Sequence, residues 1–449
     1  MKHFALPALL LLMSTAGWGR QHMPLDGVWQ FGYGDTVRYD DTIILPGSML
    51  TNGKGNDVGV DTKWTGSLYD MSYYHADMYE PYRQPGNIKF PFFLTPDKEY
   101  VGKAYYRRTI NVPSDWKGQK ILLTLERPHI ETTVRVNGKT VGHDMSLSTP
   151  HVFDLTAYVT PGGSDTLEIE IYNGIEDVCV GQDSHSVTDQ TQGNWNGIAG
   201  DIALSAVPAG QSIGRVRIYP DAANRTATVK VLVDGGLSGK TKATVTASPR
   251  NFKGRTVKAT KPSTVVGDTL LFKLDMGKDA RLWSEHHPDL YNVTVTVGDD
   301  KVSTVMGLRD IAVDTRQITV NGIPSLMRGT VENCCFPLTG YPPTDVASWM
   351  AVFEKCKEYG INMMRFHSYC PPEAAFTAAD SVGIYLQPEG PSWPNHGVKL
   401  GVGMPIDKYL LDEGRRIIDT YGNHPSFAMM AAGNEPAGDW VEYCADWVR

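Results

Sequence analysis

Four short apolar runs in the last third of the chain each lead into groups able to carry charge or make hydrogen bonds. SLM leads to Arg328, INMM to Arg365 and His367, IYLQP to Glu389, and FAMMAA to Gly433-Asn434-Glu435. An acid placed where a buried strand ends loses water. That raises its pKa toward values at which it can hand a proton to a leaving group, and Glu435 is in that position. Arg365 is either the ion-pair partner of Glu389 or Glu435 or a ligand-facing cation, and the two roles are compatible. His367 faces a ligand or supports a group that does, Glu389 is a contact or a hydrogen-bonded support, and Arg328 reads as structural. Positive and negative groups at the ends of successive apolar strands suit a polar, hydroxyl-rich ligand.

The elements that must hold these groups follow from the period of the sequence. TDVASWMAVFEKCKEYG sets Val346, Trp349, Met350, Phe353 and Cys356 on one helical stripe and stops at Gly360. PPEAAFTAADSVG is a second helix, opened by proline and closed by Gly383, and DKYLLDEGRRIIDTYG is a third. Strands that are apolar throughout and alternate with helices predict a parallel sheet covered on both faces. The expected strands are an apolar run ending at Arg328 after the hairpin ITVNGIP, then INMMRFH, IYLQPEG and FAMMAAGNE. Four such units make about half of an eight-stranded barrel of roughly 250 residues. An open sheet is the alternative, and in both folds chemistry gathers where strands end.

Residues 21–208 and 209–307 have a different period. KILLTLER, TTVRVNGKTVG and DTLEIEIYNG alternate apolar and polar residues, and Asn137-Gly138 is a strong hairpin signal. The first segment reads as a jelly roll and the second, of immunoglobulin-like size and without cysteine, as a second sandwich. The long polar loop 186–201 reads as a surface connection or a binding loop. Residues 1–20 have the layout of an export signal: Lys2 and His3, an apolar stretch from Phe4 to Met13, then small residues. The expected location is periplasmic or secreted, with no membrane span in the mature chain.

A formal charge of −8, without a run of Lys and Arg, gives no reason to expect nucleic acid as a partner. The six cysteines show no zinc spacing and are expected as buried free thiols. No cofactor and no metal are expected.

GNHPSFAMMAAGNEP resembles the acid/base segment of glycoside hydrolase family 2, and the likeness extends over nearly the whole mature chain. LWSEHHPDLYNVTV and GLRDIAVDTRQITVNGIPSLMRG resemble the family's passage from immunoglobulin-like domain to barrel. YYRRTINVP, VRVNGKTVG and WNGIAGDIAL resemble its sugar-binding jelly roll. The resemblance implies an exo-acting retaining glycosidase, β-galactosidase-like, working on an oligosaccharide or polysaccharide. It makes Glu435 the general acid/base, Asn434 a ligand of the sugar 2-hydroxyl, and Arg365 and His367 pocket residues. RFHSYCPP and LQPEGPSWPNH depart from the family pattern. The second brings Trp393 and His396 near the rim, where Trp393 is a stacking platform for a sugar or part of the loop packing. The resemblance also implies a nucleophilic glutamate on a later strand, and Glu389 is not expected to replace it. The chain is therefore expected to be an N-terminal portion: jelly roll, immunoglobulin-like sandwich, and residues 308–449 as the first half of a TIM barrel. The other reading is a catalytically silent carbohydrate-binding fragment.

Overall fold

A computed structural model of the chain describes residues 20–448, apart from positions 67, 69, 92, 93, 192, 239, 240, 314, 315, 395 and 396. The expected leader up to residue 19, and His396, lie outside the described residues.

The first two-thirds of the chain is antiparallel β. One sheet runs in the order Gln21–Pro24, Gly197–Pro208, Gln119–Pro128, His151–Asp154, with Gly47–Ser48 also paired to Gly197–Pro208. It faces a six-stranded sheet ordered Lys139–Met145, Glu131–Val136, Ser164–Tyr172, Lys103–Asn111, Gly27–Tyr33, Asp41–Leu45. Alternation decides which side chains lie between them: Thr132, Val134 and Val136 are buried while their neighbours are only half-buried. Trp29, Phe31, Trp116, Leu123 and Leu125 fill the core, each contributing roughly 1.5–3 kcal/mol by leaving water. Asn137 and Gly138 close their hairpin with φ of 50° and 77°, the left-handed pair that a two-residue turn requires.

The second sandwich packs two four-stranded sheets around Val229, Phe272, Val293 and Val295. Its eight described strands run from Ser212–Asp221 to Asp300–Met306. A small antiparallel sheet then leads into a parallel one ordered Gly329–Glu332, Met363–Phe366, Tyr385–Gln387. The helices between them, Val346–Glu358 and Glu373–Val382, match the helical stripes. Asp345 caps the first, accepting from the Ser348 N–H at 2.8 Å. Trp349 and Phe353 are buried, with Val346, Met350 and Cys356 packed at the edge of the same cluster. The third helix, Pro405–Tyr421, begins two residues earlier than its polar face suggested, with Pro405 in its first turn.

Two strand expectations need correction. The first parallel strand begins after Arg328 instead of ending on it. The apolar SLM does not enter the sheet: Met327 packs beside the Trp283 cluster and Leu326 is exposed. The fourth run pairs with the third in parallel only through isolated bridges, Leu386 with Phe427 and Glu389 with Ala431.

Three cross-links seat the parallel unit on the sandwiches. Arg416 grips Asp144 with two hydrogen bonds, of 2.6 and 3.1 Å. Trp283 donates to the Asp380 carbonyl at 2.9 Å. Half-buried Arg309 donates to the Phe427 carbonyl at 2.6 Å, tying the fourth run to the second sandwich.

Candidate functional site

The carboxyl ends of the second, third and fourth parallel runs meet on one rim. Arg365, on the second, donates from Nε to Glu389 Oε1 at 2.5 Å and from Nη2 to Asn434 Oδ1 at 2.9 Å. The Ser368 N–H donates to the other oxygen of Glu389 at 2.7 Å. Glu389 is 1% exposed and has a strong donor on each oxygen, which makes it a support for Arg365. The arginine's partner is therefore Glu389, and its second branch fixes the amide of Asn434.

Asn434 is held from its backbone too, donating to the Ser392 carbonyl at 2.8 Å. That approach depends on Gly433, where φ is 155° and a Cβ would stand 2.4 Å from the Ser392 oxygen. Ser368 and Glu435 adopt φ of 51° and 43°, left-handed values that cost non-glycine residues energy and that gather at functional sites.

Glu435 is not the desolvated acid its apolar lead-in suggested. It is exposed, and among the described residues its carboxylate accepts from Trp393, whose indole Nε1 donates to Oε2 at 3.1 Å. The chain bends at Asn434 and Glu435, leaving Asn434 buried and Glu435 exposed. Arg328 is likewise removed from the rim. It lies at the opposite end of the sheet, bound to Glu285 at 2.6 Å, in the structural role expected for it.

His367 stands at the rim, half-buried, with Nδ1 3.1 Å from Nδ1 of His185. The rings are 4.2 Å apart at 37°. Trp393 meets both edge-on, at 5.1 Å from His367 and 5.6 Å from His185. Its ring is thus engaged in packing against two histidines and in holding Glu435. Burial, then the charge of Arg365, lowers the pKa of His367. His185, more deeply buried, is pushed down to about 3 by burial, then by His367 and Arg365. Both rings are therefore neutral near pH 7.

Sequence reasoning missed two groups. His185 comes from the first sandwich, in a stretch with no catalytic spacing, 182 residues before its partner. The loop 186–201 that follows it, expected as a surface connection or a binding loop, is largely interior over its described residues. Val187, Thr188, Asp189 and Trp195 are buried, and internal amide contacts such as Asn194 Nδ2 to the Asn173 carbonyl, 2.7 Å, satisfy part of its polar groups. The other group is Glu332, at the end of the first parallel strand. Burial lifts its carboxyl to about 7 against the opposing N–H groups of Cys334, Cys335 and Asn333, and the Tyr369 hydroxyl donates to it. The only sequence signal was an acid closing the alternation of GTVE.

Among the described residues no cluster of three or more His, Cys, Asp or Glu could hold a metal ion. No described helix is long and apolar enough to cross a membrane. All six cysteines are free, but only Cys334 and Cys370 are buried and Cys335 is exposed, so the expectation of buried thiols holds in part.

Comparison with known proteins adds to this geometry. Residues 23–208 match the profile of the glycosyl hydrolases family 2 sugar binding domain, and residues 211–309 match that of glycosyl hydrolases family 2. The β-galactosidase large subunit of Leuconostoc lactis is 25% identical over 453 residues, covering 92% of this chain and 68% of the relative. A β-galactosidase of Arthrobacter is 24% identical over 96% of this chain, but only 42% of its own length is spanned. Among solved structures, an uncultured Clostridium β-glucuronidase superposes with a TM-score of 0.70 at 20% identity, covering 98% of this chain and 72% of that one. A β-D-glucuronidase of Dictyoglomus thermophilum gives 0.67 at 19%, with 97% and 71% covered. At such identities the structural likeness speaks for the fold.

Proposed function

The chain belongs to glycoside hydrolase family 2, and on that footing we propose that it is the N-terminal portion of an exo-acting retaining glycosidase of β-galactosidase type. Its substrate is an oligosaccharide or polysaccharide with an accessible terminal sugar. The observation that carries this reading is the convergence of Arg365, Glu389, Asn434 and Glu435, from three successive strand ends, on one rim.

In this reading the parallel sheet is the first half of a (β/α)8 barrel, and Glu435 is the acid/base. It donates its proton to the glycosidic oxygen as the C1–O bond breaks and a carboxylate of the enzyme takes C1. It then removes a proton from the water that attacks C1, which frees the sugar with its configuration retained. Asn434, its Oδ1 occupied by Arg365, turns its Nδ2 donor toward the 2-hydroxyl. Trp393 orients Glu435 through its N–H, and His367 binds a neighbouring hydroxyl. Glu389 is buried and fully occupied by its two donors, so it does not supply the second carboxylate. That group is assigned to a later strand of a longer gene product, and residues 1–449 alone are expected to be inactive. The leader-like sequence of residues 1–20 supports a periplasmic or secreted protein in this reading.

One observation favours the second reading, a carbohydrate-binding chain without turnover: the exposure of Glu435. Assay of the full-length gene product on a panel of aryl glycosides decides between them. Hydrolysis of an aryl β-galactoside with retention supports the enzyme; sugar binding to folded protein without hydrolysis of any pyranoside refutes it.

A further inference from the structure

The histidine pair at the rim joins two separate parts of the chain, and its geometry constrains its protons. Two nitrogens 3.1 Å apart share one hydrogen, so one Nδ1 donates and the other accepts. The backbone carbonyl of Asn333 stands beside the His185 ring as an acceptor. Since the Nδ1 edge of His185 faces His367, the assignment consistent with both contacts puts its single proton on Nε2 toward the carbonyl and leaves Nδ1 as a lone pair. His367 must then carry its proton on Nδ1, and its Nε2 is a lone pair. Among the described residues that nitrogen makes no hydrogen bond.

We propose that His185 is a positioning residue of the sugar pocket: it fixes the tautomer of His367 so that Nε2 at the rim accepts a hydrogen bond from a hydroxyl of the terminal sugar. The substrate subsite is therefore built by two regions of the fold, with the first sandwich setting the polarity of a group on the second parallel strand. The proposal rests on the glycosidase reading for its ligand, although the tautomer itself does not.

The anchoring of His185 agrees with a fixed role. Its backbone N–H donates to Ser368 Oγ at 2.8 Å, and Ser184 and Ser186 both donate to the Ser368 carbonyl, at 3.3 and 2.7 Å. The loop is thus stitched to the residue that follows His367. Trp393 packs edge-on against both rings and restrains their rotation. Burial keeps the pair neutral, so each ring carries a single proton. An imidazolium at His185 would put a proton on its Nδ1 and reverse the contact, making His367 the acceptor.

The test uses the full-length gene product, labelled with 15N-histidine, and its His185→Phe and His185→Asn variants. Long-range 15N–1H spectra near neutral pH, assigned with a His367→Gln variant, are expected to show His367 as the Nδ1–H tautomer. His185→Phe should convert it to a mixture or to the Nε2–H form. His185→Asn, whose Oδ1 can accept where Nδ1 did, should restore the original form. In parallel, KM for the best aryl glycoside should rise about tenfold in His185→Phe with kcat nearly unchanged, and recover in His185→Asn, the size expected for one lost hydrogen bond. An Nε2–H tautomer in the unsubstituted protein, or the same tautomer in all three, overturns the proposal whatever the activity. A normal tautomer response with KM unmoved overturns the substrate role. Absence of hydrolysis in every form contradicts the glycosidase reading instead; monosaccharide titration then decides the subsite, and loss of a His367 shift upon His185→Phe is the supporting result.

Discussion

Glu389 and Glu435 stand at the ends of neighbouring parallel runs, and their surroundings are opposite. Glu389 is 1% exposed and takes a donor on each oxygen; Glu435 is exposed and is held by one indole N–H. A carboxylate whose lone pairs are committed to Arg365 and the Ser368 N–H cannot exchange protons with a ligand without dismantling those contacts. One with a free edge can. Burial alone therefore does not identify the acid of a rim: the fully buried carboxyl stabilises the site and the accessible one is available for chemistry.

Substituting each carboxyl should separate these roles. The largest effect is expected from Glu435→Gln in the full-length product. Loss of a general acid lowers kcat/KM for a natural, poorly activated glycoside by about 10²–10⁴-fold, measured as sugar release, with thermal stability unchanged. Glu389→Ala reverses the pattern. Arg365 loses its counter-ion and Asn434 its fixed neighbour, and denaturant unfolding should show a loss of roughly 2–3 kcal/mol, less than for a fully buried pair because Arg365 keeps some water contact. Equal stability losses in the two variants would erase the distinction.

Glu332 sharpens the contrast by pH. Its folded-state pKa is raised by burial to about 7, above the ordinary carboxyl value. Between those values the folded state binds more protons than the unfolded one, so stability falls as pH rises from about 4.5 to 7. Glu332→Gln should flatten that part of the Tm–pH curve and raise Tm at pH 8 relative to the parent; an unaltered curve would place the carboxyl in water. The smallest effect is expected at the contact that holds Glu435. Trp393→Phe keeps a ring beside the histidines and deletes the N–H donor, which should lower kcat/KM about fivefold, the equivalent of roughly 1 kcal/mol.

The sequence was most legible where one period dominated. The alternation from Glu131 to Val136, the Asn137-Gly138 turn and the Trp349–Phe353 stripe each translate directly into a buried face or a reversal. The rim residues Arg365, Glu389 and Asn434 were legible because an apolar strand must end in something, and its end is where the sheet opens. Three features were not. The exposure of Glu435 goes with the bends at Asn434 and Glu435 and the left-handed φ of 43° at Glu435, which an apolar lead-in does not encode. The strand start after Arg328 depends on Met327 finding a place in the Trp283 cluster, a tertiary contact. The pairing of His185 with His367 depends on a loop of the first sandwich being drawn inside by its own amide network, and no local pattern marks a contact between residues so distant in the chain.

The claim on which the rest depends is that Glu435 protonates the departing oxygen, and the dependence of rate on leaving-group acidity tests it most directly. In full-length Glu435→Gln, aryl glycosides whose phenols are strong acids should react with nearly normal glycosylation rates, while those with weakly acidic phenols slow progressively, giving a steep line. A loss of the same size for every leaving group, or a slope equal to that of the parent enzyme, would contradict it.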